Sequence, residues 1–123
     1  MSQQSHLEDL FARQLDEAGI AYERQTKAIP HRRFAFDFYI REANLLIEIQ
    51  GGTWNGGRHV TGVGFRKDCE KFNLATILGF RILKADNTQT KSGELLEWTK
   101  KAIVSTGKPT PQPDRPNQMM ELF

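Results

Sequence analysis

One cysteine is all this chain carries, at position 69, so an internal disulfide and a cysteine-ligated zinc site are both excluded. Long apolar runs are missing as well, and nothing approaches the roughly 18 residues that a membrane-spanning helix needs. The opening stretch MSQQSHLEDLF has no basic segment leading into an apolar one, so no secretory signal is expected. Neither sign of charge dominates: 17 lysines and arginines face 15 aspartates and glutamates, for a net charge of +2. That balance neither demands nor excludes nucleic acid, so any case for DNA must rest on local clusters. No internal repeat is visible. The 123 residues are 38% hydrophobic and 26% charged, too apolar for a disordered chain and long enough for one domain with one core. A soluble intracellular protein with no membrane partner is the expectation.

Ser5 and Glu8 have the spacing of a capping box, and apolar residues follow at Leu7, Leu10, Phe11, Leu15 and Ala18. That pattern predicts a helix, and Gly19 sits where such a helix ends. Residues 20–26 read as a first strand. Pro30 and the basic run His31-Arg32-Arg33 form a connection. FAFDFYI (34–40) and LLIEIQ (45–50) are rich in strand formers, and REAN between them is short enough for a hairpin. Residues 51–64 hold six of the ten glycines and read as a loop. A helix over 65–78 follows, with Phe65, Cys69, Phe72 and Thr76 as its stripe, stopped by Gly79. Residues 80–85 read as a strand and 92–104 as a helix. Four of the five prolines then crowd into KPTPQPDRPNQ, a stiff linker, and the chain closes on the apolar MMELF. The expectation is a single α/β domain over 1–105, with a mixed central sheet flanked by helices, then a linker over 106–117 and a short peptide at 118–123.

If the hairpin turns between Glu42 and Ala43, residues whose numbers sum to 85 oppose each other. Asp37 then faces Glu48, with Cβ atoms about 5 Å apart. Gln50, two residues on, shares the face. Phe34, Phe36, Phe38, Ile40, Leu45, Ile47 and Ile49 would cover the other face. Like charges in direct opposition are destabilising. A divalent cation would relieve them, since Mg²⁺ favours one or two carboxylates plus waters and phosphate oxygens. The alternative is a solvated face neutralised by Arg32 or Lys84.

Asp37, then Glu48-Ile49-Gln50 on the next strand, then a helix and a further strand, resemble the PD-(D/E)XK nuclease superfamily. The nearer likeness is to small phage-encoded and very-short-patch-repair-like endonuclease domains. It runs through Glu48-Ile49-Gln50-Gly51-Gly52, Trp54, Gly57-Arg58-His59, Gly62, Gly64-Phe65, Asp68-Cys69-Glu70-Lys71, Asn73 and Gly79-Phe80-Arg81-Ile82-Leu83. The resemblance implies an αβββαβ fold and a Mg²⁺- or Mn²⁺-dependent DNA endonuclease of a bacterial or phage-infected cell, acting in repair, recombination or replication. It implies that Asp37 and Glu48 hold the metal and that the product carries a 5′-phosphate. Phe36 stands where the family often has proline. Gln50 stands where it often has lysine, and an amide can only hydrogen-bond the attacking water. The alternative is therefore a degenerate nuclease fold that binds DNA without cutting it.

Lys71 is the candidate for the missing positive charge, on the helix face away from Phe65, Cys69 and Phe72. Its other reading is a surface partner for Asp68. His59 is a candidate proton donor or acceptor, or simply an exposed loop histidine. Glu8 is either an acid near the metal, as in relatives of this kind, or no more than half of the capping box. Phosphate contacts are assigned to Arg32, Arg33, Arg58, Arg66 and Lys67, with Arg24, Lys27 and His31 nearby. Trp54 is a candidate to stack on or wedge into DNA, or to anchor its loop. Gln118, Met119, Leu122 and Phe123 resemble peptides that bind bacterial sliding clamps; docking on this domain or on a second copy, as in a homodimer, is the alternative.

Overall fold

The structure, a computed structural model, describes residues 3–50 and 62–106. Helix α1 (Gln3–Ala18) leads into β1 (Glu23–Thr26), β2 (Phe36–Ile40) and β3 (Leu45–Ile49). Helix α2 (Gly62–Ile77) crosses to β4 (Arg81–Ala85), and α3 (Asn87–Lys91) and α4 (Glu94–Thr106) follow. The four strands form one mixed sheet in the order β1-β2-β3-β4, antiparallel except for the parallel β3–β4 pair. The domain is therefore α/β in the αβββαβ order, with helices on both faces. Among the described residues no helix is long and apolar enough to cross a membrane.

The β2–β3 register is the expected one: Phe38 pairs with Ile47, Tyr39 with Leu46 and Ile40 with Leu45. A 3-10 turn at Arg41–Ala43 joins the strands and ends on Asn44, whose φ is +52°. Asparagine tolerates that left-handed conformation better than most residues. Its buried side chain also ties two connections together. It accepts from the Tyr39 hydroxyl and donates to the Gly79 carbonyl, while its own carbonyl accepts from Arg81 N–H.

Leu7, Phe11 and Leu15 of α1 are buried against Phe38, Ile40, Leu45, Ile47 and Ile49, with Leu95 and Ala102 of α4 completing this side. Fully burying one such side chain is worth about 1.5–3 kcal/mol. On the other face Phe36, Leu46 and Ile29 pack under Ala75 and Phe72 of α2. Phe34 and Phe36 thus leave the side that strict alternation assigns them, and Phe36 meets Phe72 edge-on at 5.9 Å. The sidedness of β2 changes between Phe36 and Phe38, at Asp37.

Four further expectations are corrected. Helix α1 already runs through Ser5, so Ser5 does not cap it. Strand β1 starts at Glu23, three residues later than expected. The helix expected over 92–104 is α4, shifted to Glu94–Thr106, and it is preceded by a short helix the expectation lacked: α3 begins at a capping box in which Asp86 accepts from Gln89 N–H and the Gln89 side chain accepts from Asp86 N–H. The stripe chosen for α2 is wrong in part, since Phe65 is 59% exposed and Thr76 is also exposed. The inward side is carried by Lys71, Phe72 and Ala75. As a crossover between parallel strands, α2 runs back against them. Its 16 residues span about 24 Å against about 17 Å for a five-residue strand, so its first turns overhang the ends of β3 and β4. Phe65 belongs to that overhang.

Candidate active site

Continuing the β2–β3 register past Phe38↔Ile47 sets Asp37 across from Glu48. The ladder ends there because Asp37 itself takes over a partner: its Oδ2 accepts the Ile49 N–H at 2.8 Å. The carboxylate therefore lies across the gap where the two strands part. β3 continues toward β4 instead, with Gln50 N–H donating to Ala85 O at 2.7 Å.

Asp37 is 8% exposed. Burial pushes its carboxyl up from 3.8 to about 7; the Glu48 charge and, to a lesser degree, that of Glu8 push the same way, while the Ile49 N–H and Lys71 oppose them. Glu48 is satisfied on one side alone. Its Oε2 accepts from Lys71 Nζ at 2.8 Å, with both side chains largely buried, and its Oε1 is buried without a hydrogen-bond partner among the described residues. The Lys71 ammonium also stands 4.7 Å from the centre of the Phe36 ring and 5.6 Å from that of Phe72. So Lys71 does not point away from Phe72, and its ion-pair partner is Glu48 rather than Asp68.

The cations first considered for neutralising the pair are engaged elsewhere. Arg32 bonds Glu70 at 3.1 Å. Lys84, in register with Glu48 on β4, lies 3.9 Å over the Phe72 ring. Glu8, 13% exposed at its side chain, accepts from Gln25 Nε2 at 3.1 Å and pairs with Arg24 at 3.6 Å. It faces the sheet from α1, on the opposite side from Lys71. Gln25 is the residue that sequence reasoning missed; nothing in its identity signals the contact.

Among the described residues no three His, Cys, Asp or Glu side chains gather closely enough to hold a metal ion by themselves. Asp37 and Glu48 nevertheless have the chemistry a hard divalent cation requires. They are two oxygen donors, one with a proton affinity raised by burial and by its neighbour's charge, and one with a buried oxygen left unmatched among the described residues. Two carboxylates completed by waters and substrate oxygens suit Mg²⁺ better than a cage of protein ligands would. Arg33, Arg66 and Lys67 are exposed, the last two on the overhanging part of α2. Trp54, Arg58 and His59 lie outside the described residues, as do Gln118, Met119, Leu122 and Phe123.

No protein-family model matches the chain, and no curated protein does. A solved structure does: the homing endonuclease I-Bth0305I catalytic domain, with a TM-score of 0.61 and 22% sequence identity over 80% of this chain and 94% of that one. The two chains share a fold.

Proposed function

We propose that this chain is a divalent-metal-dependent DNA endonuclease of the PD-(D/E)XK type. The observation that carries this reading is the buried acid pair, Asp37 and Glu48, held at the parting of two strands with one carboxylate oxygen unmatched among the described residues. The shared fold with a domain named as the catalytic part of a homing endonuclease supports it.

Asp37 and Glu48 would hold Mg²⁺ or Mn²⁺, and the ion would polarise the scissile phosphodiester and make an attacking water more acidic. Lys71 orients Glu48 through their ion pair, and its ammonium would be the fixed positive charge beside the reacting phosphate. It thereby takes over the electrostatic part that lysine plays at the position of Gln50 in related enzymes. Gln50 is left to orient the water through its amide. Arg33, Arg66 and Lys67 grip phosphates without reading bases. Repair, recombination or replication are the settings for such an activity.

A plasmid-nicking assay tests the reading. Wild type should nick in Mg²⁺ or Mn²⁺ and fall silent in EDTA, and Asp37→Ala and Glu48→Ala should be inactive. Gln50 favours a second reading, a DNA binder that does not cut. Absence of cleavage on nicked, branched and single-stranded substrates, with DNA binding intact, would establish the binder instead.

A further inference from the structure

Gln25 adopts a conformation that its residue type disfavours, with φ at +49° inside a strand. Strain of this kind persists only where the surroundings hold it, and it gathers at functional sites. The location is specific. Gln25 falls between the pairs Arg24↔Phe38 and Thr26↔Phe36, which places it opposite Asp37. It is also where the sheet changes sides. Arg24 lies over the Phe38 ring on the α1 side, whereas Phe36 packs under α2. Strict alternation from Arg24 would turn the Gln25 side chain toward α2. Its amide instead reaches α1 and donates to Glu8. Arg24 holds the same carboxylate and that of Asp9, at 3.6 and 3.2 Å. Gln25 thus stands opposite Asp37 and bonds Glu8 at 3.1 Å, so a single side chain links Glu8 to the strand position facing the acid pair.

We propose that Gln25 is a positioning residue, whose left-handed backbone and amide fix the Glu8 carboxylate beside the Asp37–Glu48 pair as an outer acceptor for waters around a divalent cation. Glu8 acts through water because the three acids do not converge tightly enough to be joint ligands. The inference rests on the metal-dependent reading above. Groups that orient the surroundings of a metal typically change its affinity by about 10–100-fold when removed.

The test uses metal alone. Mn²⁺ binding is measured by titration calorimetry, and thermal stability in EDTA, for wild type, Gln25→Gly, Glu8→Gln and the double variant. Gln25→Gly keeps the left-handed backbone without strain and removes the amide, so it should match or exceed wild type in melting temperature while binding Mn²⁺ roughly tenfold more weakly. Glu8→Gln should weaken binding similarly, and the double variant no further, since both changes break one link. Unchanged affinity in Gln25→Gly, additive losses in the double variant, or a loss of stability alongside affinity each overturns the positioning role while leaving the metal site standing. A wild type that binds neither Mn²⁺ nor Mg²⁺ refutes the metal reading, and this inference with it.

Discussion

Replacing Asp37 by asparagine preserves the side-chain shape and the oxygen that accepts the Ile49 N–H, and it removes one of two facing charges. In the metal-free protein the carboxyl is raised from 3.8 to about 7. The folded state therefore holds the proton more tightly than the unfolded one. The stability this group contributes is full below about pH 4 and is lost as pH rises through about 7. At roughly 1.4 kcal/mol per pH unit, ionised Asp37 costs the fold at most about 4 kcal/mol at pH 8, and about half that once solvent screening is allowed for. The Asp37→Asn variant would not bear this cost. Its melting temperature at pH 8 in EDTA should exceed that of wild type by roughly 6–10 °C, at about 3–5 °C per kcal/mol for a chain of this length. The gap should narrow at pH 5, where wild-type Asp37 keeps its proton. Mg²⁺ at pH 8 should stabilise wild type and leave the variant unmoved, and the variant should not cleave. Circular dichroism melts across pH, with and without Mg²⁺, decide the matter. A variant less stable than wild type at pH 8, or a gap that does not depend on pH, refutes the reasoning.

Lys71→Met retains the stem against Phe36 and Phe72 but strips Glu48 of its partner, so it should cost about 2–4 kcal/mol in denaturant titrations and lower the nicking rate sharply. Arg66→Ala and Lys67→Ala should each weaken DNA binding for every sequence alike and lower the slope of log K against log salt by about one, with melting temperature unchanged. Asn44→Ala loses two side-chain hydrogen bonds and a tolerated left-handed backbone, at about 2–4 kcal/mol; Asn44→Gly should recover only the backbone share, about 1 kcal/mol.

The hairpin was legible because alternating apolar residues and a four-residue connection leave few registers open, and the one they favour is the one formed. Gly19 and Gly79 were legible stops, and both have positive φ. Phe36 was not legible. Period-2 alternation assigns it to the side of Phe38, and the change of side at Asp37 depends on β1 and β3 together. Lys71 was misplaced for a different reason. A stripe read from apolar residues takes Phe65 and passes over a lysine, yet the lysine stem lies on two rings while Phe65 overhangs strands that have ended. The start of α3 carried a readable signal in Asp86-Asn87-Thr88-Gln89, but a five-residue helix offers no apolar period to draw attention to it.

Asp37 and Glu48 meet through a contact between near neighbours in the chain, whereas Lys71 comes from the helix beyond the glycine-rich segment. Local contacts form with the smallest loss of chain freedom, so a refolding molecule should build the repulsion between the two acids before its relief arrives. Glu48 is then a late-satisfied group. Lys71→Met should accordingly hasten unfolding and leave the folding rate almost untouched, whereas Asp37→Asn should speed folding itself. Stopped-flow chevrons of the two variants would separate these effects, and a matching change in the folding arm for Lys71→Met would place the docking of α2 before the rate-limiting step.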